Sequence, residues 1–315
     1  MQVRIIRKLG IATDICAFEL VKPDGSALPA FAAGAHIDVH VGEGLVRQYS
    51  LCNHPGDTER YVIGVLREAS SRGGSVAMHA LAEGSLLEIS EPKNHFPLAE
   101  AATGSLLLAG GIGVTPILSM AEHLARTGAS FEMHYCTRDP GRVAFRDRLV
   151  EARFADRVHL YFDSAPADER VNLRALLAAP AAGKHLYVCG PAGFIGAVLE
   201  TAAAAGWDER NLHREYFAAA AQPETLSDEF KIMLASSGRV IDVKGEQTVI
   251  AALTAAGIEL PTSCEQGVCG TCLTRVLSGE PDHRDVYLTD DERAAKDCFL
   301  PCCSRSKSPM LVLDL

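Results

Sequence analysis

The sequence predicts a multidomain β + α/β + α+β protein: an antiparallel β-barrel, a Rossmann-like parallel-sheet domain and a C-terminal β-grasp domain. Three observations predict it. Short alternating strands separated by Pro, Gly and Asp turns fill the first hundred residues. From residue 103 strands alternate with helices, the pattern of a parallel sheet. The last segment combines a hairpin, a helix, a cysteine-rich loop and a returning strand. The expected segments are 1–102, 103–221, a linker over 222–229, and 230–315.

Composition narrows the function classes. A chain of 315 residues is long enough for two or three domains, each with its own core. Hydrophobic residues make up 48% and charged residues 22%, the balance of a globular protein. A formal net charge of −10 argues against a nucleic-acid binder, whose footprint is basic. No window approaches about eighteen uninterrupted apolar residues, so no membrane span is expected. The N-terminus carries basic residues but no apolar signal core, which predicts a cytoplasmic protein. Ten cysteines in a chain of this length are not a disulfide framework and read as reduced thiols. The eleven histidines are scattered without metal-ligand pairing, and no nucleophile–base arrangement stands out.

In the first segment, residues 3–8, 15–20, 36–41 and 61–66 alternate as strands, with turns at 22–25 and 53–56. A further strand places Arg47 and Tyr49 on one face with Ser50 at its end. A guanidinium fork, a flat aromatic and a hydroxyl suit the phosphate, ring system and ring edge of a flavin. An exposed Arg and a half-buried Tyr are also ordinary on a strand. The cluster Ser70-Ser71-Arg72-Gly73-Gly74-Ser75 can wrap an anion with backbone N–H groups, the Ser75 hydroxyl and the Arg72 guanidinium, or be a plain turn.

In the second segment, residues 105–110 form a buried strand. Gly111, Ile112 and Gly113 form a turn, and a helix follows with Thr115 as N-cap and Pro116 at its first position. A helix start reached through glycines suits a dinucleotide pyrophosphate. The pattern is not G-x-G-x-x-G, because Pro116 occupies the sixth position. A strand over 131–136 ends in Thr137, Arg138 and Asp139. Another over 185–189 ends in Cys189-Gly190-Pro191, with a helix from Phe194. Both strand ends lie at the edge where open α/β sheets bind ligands. Asp139 falls at the ribose end, and no residue plainly reads the 2′ position. Cys136 and Cys189 also fit the role of small buried hydrophobes.

In the last segment, strands over 230–235 and 240–243 turn at 236–238, and a helix over 248–256 is stopped by Gly257. Cys264, Cys269 and Cys272, followed by Cys302, have the C-x4-C-x2-C…C spacing of a plant-type [2Fe–2S] cluster. Gly267 and Gly270 let such a loop curl and aim N–H groups at sulfur. Cys269 and Cys272 alone would also suit half a zinc site or a redox pair. A zinc site, however, usually shows two close pairs, and Pro261 with the two glycines makes a loop where a redox pair opens a helix. Cys302 is the fourth ligand by spacing, which leaves Cys303 and Cys298 as ordinary buried thiols.

Taken in order, Arg47-x-Tyr49-Ser50, Ser71-Arg72-Gly73-Gly74-Ser75, the run Gly110 to Pro116, Cys189-Gly190-Pro191 and the cysteine set resemble the phthalate dioxygenase reductase family, nearest its vanillate O-demethylase reductase branch. The resemblance spans essentially the whole chain. It implies an FMN-binding barrel, an NADH-binding domain and a plant-type ferredoxin domain. It further implies an NADH-dependent reductase that takes hydride onto FMN and passes single electrons through the cluster to a Rieske-type oxygenase acting on an aromatic acid.

By the same resemblance Arg47, Arg72, Gly73, Gly74 and Ser75 hold the FMN phosphate and Tyr49 lies against the ring. Ser50 and Thr115 stand at the reactive edge, and Phe217 covers the other face. Gly111, Gly113, Thr137, Arg138 and Cys189, with Gly190 and Pro191, contact NADH, and Ser50, Thr115, Cys189 and Phe217 are the implied catalytic positions. The chain departs from some relatives at Leu66, where they carry a basic residue. The preference for NADH comes from the resemblance alone, and a monomer is expected. The same three domains also fit a diiron or haem hydroxylase or a soluble carrier as acceptor. Outside the enzymes, a zinc-stabilised binding protein is the alternative.

Overall fold

The computed structural model describes residues 1–42, 45–69, 71, 73–217 and 229–315. The chain divides into two compact units, Met1–Phe217 and Ala218–Leu315. Of the expected linker, only Glu229 lies within the described residues. Among the described residues no helix is long and apolar enough to cross a membrane.

The first sheet is antiparallel. It comprises β1 (Gln2–Ala12), β2 (Ile15–Val21), β3 (His36–Gly42), β4 (Leu45–Ser50), β5 (Tyr61–Leu66) and β6 (Leu86–Ile89), in the order β4-β3-β6-β1-β2-β5. Alternation decides which face goes in: Val3 and Ile5 are fully buried while Gln2 and Arg4 point outward. An antiparallel bridge between Leu51 and Ile63 brings the end of β4 to β5, so the sheet curls into a barrel. Where the sequence suggested only a turn, Gly74–Ala80 forms a helix, α1. Only Gly74 and Met78 of it are buried, so it carries no apolar stripe to read. Met78 enters the barrel core, and Lys8 Nζ donates to the carbonyls of His79 and Leu81 at 2.6 and 2.9 Å, satisfying the helix end.

The second sheet is parallel throughout. It contains β7 (Gly104–Gly110), β8 (Phe131–Thr137), β9 (Val158–Phe162), β10 (Lys184–Cys189) and β11 (Leu212–Glu215), in the order β11-β10-β7-β8-β9. Central β7 is apolar on both faces because both are covered. Leu107 and Ala109 pack with α2 (Val114–Thr127). Leu106 and Leu108 pack with α4 (Leu173–Leu177) and α5 (Ala192–Ala204), and the short α3 (Arg146–Val150) lies between β8 and β9 in sequence. Two details differ from the sequence reading. α2 is capped by Gly113 rather than Thr115, whose hydroxyl donates back to the Ile112 carbonyl at 3.0 Å, and α5 begins at Ala192 rather than Phe194.

Barrel and parallel sheet share one core. Ala17, Cys52 and Val62 of the barrel pack with Ile117, Leu118 and Ala121 of α2. Ser119 Oγ donates to the Asn53 carbonyl at 2.9 Å, and Arg148 donates to the Cys52 carbonyl at 2.8 Å. This shared core accounts for two different architectures forming a single compact unit.

The second unit contains β12 (Phe230–Leu234), β13 (Val240–Val243), α6 (Val249–Ala255), β14 (Thr274–Ser278), β15 (Pro281–Asp282), α7 (Asp290–Ala295), β16 (Cys298–Phe299), β17 (Arg305–Ser306) and β18 (Met310–Leu313). Its main sheet runs β13-β12-β18-β14-β16, and β15 pairs with β17. Thr248 caps α6 through the Ala251 N–H. Helix α7, absent from the sequence reading, has a capping box of Thr289 and Glu292.

Candidate cofactor sites

In the barrel, β4 and the start of α1 converge. The Arg47 side chain lies along Gly74, where a Cβ would come within 2.7 Å of Nε and 3.0 Å of Cδ. Arg47 Nη1 donates to the Val46 carbonyl at 2.7 Å, which aims the guanidinium fork. Ser75 Oγ accepts from the Glu68 N–H at 3.1 Å and donates to Ser71 Oγ at 2.9 Å. Gly73 is exposed with φ +92, and Arg72 lies outside the described residues. Tyr49 is half-buried against the barrel core, and burial pushes its phenol up to about 12 against the pull of Arg47. Ser50 is buried at the end of the same strand. Leu66 is half-buried at the end of β5.

At the carboxyl edge of the parallel sheet, the ends of β7 and β10 press together. A Cβ on Gly113 would collide with the carbonyl of Cys189 and come within 2.6 Å of the Gly190 nitrogen. Gly190 in turn lies against Gly110, and Pro191 and Phe194 pack over Gly110. Gly111 takes φ +54 with open space beyond it. The Thr115 methyl packs on Gly64 of β5, which puts the first turn of α2 against the barrel. Thr137 is buried and its hydroxyl donates to the Asp139 carbonyl at 3.0 Å, whereas Arg138 is exposed. Phe217 is an exposed aromatic two residues beyond β11.

Cys189 is fully buried opposite Glu215 of β11. Burial, then the Glu215 charge, holds its thiol well above the ordinary range. Glu215 is a site residue the sequence reading missed. Burial raises its carboxyl to about 8, and Oε2 has no hydrogen-bond partner among the described residues. Its only sequence signal is an acidic residue in a short strand, and the partner strand that gives it meaning is distant in sequence.

In the second unit the four spaced cysteines converge. The Cys302 thiol is in hydrogen-bonding contact with those of Cys264 and Cys272, and Cys264 with that of Cys269. Their contacts split the titration: hydrogen bonds from Cys269 and Cys302 pull Cys264 down, and the same crowding pushes Cys269 and Cys302 up. Thiols packed this closely form a donor set suited to iron that binds them as thiolates. Backbone N–H groups already point at sulfur, as in Gln266 N–H to Cys264 at 3.3 Å. Cys303 stands beside this group: its thiol is in hydrogen-bonding contact with that of Cys302, a Cβ on Gly267, at φ +72, would strike it, and it lies 3.8 Å from the Leu300 carbonyl. Cys303 and Cys298 are half-buried rather than buried. Behind the loop, buried Asp285 accepts from Leu288 N–H at 2.8 Å and Ser304 Oγ at 3.3 Å, a brace the sequence did not reveal.

Comparison with known proteins settles the family. A vanillate O-demethylase oxidoreductase from Pseudomonas putida is 56% identical over 306 residues, covering 96% of this chain and 96% of that protein. This chain belongs to that oxidoreductase family. Residues 232–307 match the 2Fe-2S iron-sulfur cluster binding domain, which takes in all four converging cysteines. Residues 90–212 match the N-terminal domain of dimethylamine monooxygenase subunit DmmA-like proteins. Among solved structures, phthalate dioxygenase reductase, described as a modular structure for electron transfer from pyridine nucleotides to [2Fe-2S], superposes with TM-score 0.79 and 38% identity over 100% of this chain and 98% of that one. An intact type IV self-sufficient cytochrome P450 monooxygenase has TM-score 0.85 and 38% identity over 100% of this chain and 41% of that one. The oxidoreductase family assignment fits the barrel, parallel sheet and cysteine loop found here.

Proposed function

We propose that this oxidoreductase carries electrons from NADH through FMN and a [2Fe–2S] cluster to a Rieske-type oxygenase acting on an aromatic acid, as a cytoplasmic monomer. The observation that carries the reading is the contact group of Cys264, Cys269, Cys272 and Cys302, in one chain with a barrel and a nucleotide-type sheet. When bound, the three groups supply hydride donation, hydride acceptance with release of one electron at a time, and one-electron carriage. The functional segments are assigned as 1–102 for FMN, 103–221 for NADH, 222–229 as linker and 230–315 for the cluster.

The chain's own residues bind and orient. Arg47, with Gly73, Gly74, Ser75 and Arg72, holds the FMN phosphate through charge-assisted hydrogen bonds. Tyr49 would lie against the ring as a neutral phenol, which burial raises further above its ordinary range. Ser50 of the barrel and Thr115 of α2 would position the reacting edge, and Phe217 would cover the remaining face. Gly111, Gly113, Gly190 and Pro191 shape the turn for the dinucleotide, Thr137 and Arg138 would take its ribose end, and Cys189 would lie beside the nicotinamide. Cys264, Cys269, Cys272 and Cys302 hold the irons.

An anaerobic visible spectrum of the purified protein before and after NADH, with flavin and iron counted on the same sample, tests this reading. About one FMN and two irons per chain, bleaching together, is the expected result. A flavin that ignores NADH overturns it. The similarity to a self-sufficient P450 favours a haem protein as the competing acceptor. Turnover of an aromatic acid by a purified Rieske oxygenase, against reduction of a purified haem hydroxylase, separates the two.

A further inference from the structure

The histidines read as scattered in the sequence are not scattered in the fold. His134 of β8 stands directly opposite His159 of β9, and their rings stack at 4.8 Å and 18°. Glu132, two residues before His134, shares its face of the strand, and its Oε1 lies 3.8 Å from His159 Nε2. One donor atom from each of the three lies within 4.8 Å of the others. The group lies on the outer strands of the parallel sheet, apart from the strand ends assigned to cofactors.

His134 is the decisive member. It is 4% exposed, its Nδ1 lies 3.1 Å from the Tyr161 hydroxyl, and its Nε2 has no hydrogen-bond partner among the described residues. A buried ring nitrogen without a partner is unfavourable, so the fold keeps it at a cost. With Nδ1–H donating to Tyr161, Nε2 is left as a bare lone pair. That is how a second residue orients a metal-ligating histidine.

We propose that Glu132, His134 and His159 bind a divalent transition cation of the zinc class, at a site separate from the electron-transfer groups, with water completing the shell. Two imidazoles and one carboxylate are a zinc donor set. Donors around zinc lie about 2.1 Å from the metal and so roughly 3.4 Å apart, closer than they stand here. His159 and Glu132, with side chains 42% and 51% exposed, are free to swing in, whereas His134 is already fixed. The bound ion would tie edge strand β9 to β8.

The test is equilibrium dialysis of the cofactor-loaded protein against buffered zinc, with zinc per chain counted by mass spectrometry. The wild type is compared with His159→Ala, Glu132→Gln and Tyr161→Phe. The expected result is about one zinc per chain that His159→Ala weakens at least tenfold, with Tyr161→Phe weakening it about tenfold through the orienting hydrogen bond. NADH still bleaches the flavin in every variant. Equal zinc uptake by wild type and His159→Ala, or no uptake by the wild type, overturns the proposal. Both substitutions nearest the ion are at solvent-facing side chains, so failure to fold does not stand in for failure to bind.

Discussion

Glu215 and Cys189 face each other on adjacent parallel strands, a carboxyl whose Oε2 has no hydrogen-bond partner among the described residues beside a fully buried thiol. The carboxyl titrates at about 8 in the folded chain and 4.5 ordinarily, so the folded state holds a proton that the unfolded state has released between those values. Stability therefore falls as pH rises from 4.5 to about 8, and the loss is complete above that. The size is on the order of a few kcal/mol. Glu215→Gln removes this dependence, so its melting temperature gains on the wild type between about pH 5 and pH 9. A constant gap across that range counts against the burial argument.

Cys302→Ser is expected to lose the cluster irons and electron transfer to the oxygenase while NADH still bleaches the flavin. Cys303→Ser is expected to keep both, because its thiol meets that of Cys302, whereas the Cys302 thiol also meets those of Cys264 and Cys272. Iron analysis of the two variants decides, and the reverse pattern refutes the ligand assignment.

Gly113→Ala puts a methyl into the Cys189 carbonyl, a backbone group held in the sheet on both sides. Gly113 has an ordinary helical φ of −61, so the cost is steric alone. Overpacking of this kind costs about 2–4 kcal/mol. The expected outcome is a lower melting temperature together with a higher KM for NADH, read by thermal melts and steady-state kinetics.

Arg47→Ala removes a charge-assisted phosphate partner, with an expected loss of FMN affinity of about tenfold to a hundredfold. Titrating the flavin-free protein with FMN by fluorescence measures it. Arg47→Lys should fall between, because an ammonium keeps the charge without the fork. Unchanged affinity in Arg47→Ala removes Arg47 from the phosphate site.

Much of this architecture is legible in the sequence because its signals are local. Val3, Ile5 and Phe18 announce their strands by alternation, and Cys264, Cys269 and Cys272 sit in one loop with fixed offsets. Helix α1 escapes because seven residues with two buried carry no period. The four residues of β11 are uniformly half-buried and show no alternation. Thr115 looks like a cap because hydroxyl residues usually are, but the glycine turn before it supplies the cap position. Spacing favours Cys302 over its neighbour Cys303, and the fold sets the Cys302 sulfur against those of Cys264 and Cys272. The partnerships of Glu215 with Cys189 and of His134 with His159 come from strand register, which a single sequence does not print.

Strand β18 lies at the middle of the second unit's sheet, parallel to β12 on one side and antiparallel to β14 on the other. Ribosomal synthesis delivers that central rib after every other strand of the sheet. A nascent chain that has emerged only as far as Cys303 already presents all four sulfurs, yet β12 and β14 have nothing between them to fix their spacing. Residues 310–313 therefore complete the sheet that carries the cysteine loop only after the rest of it has been made.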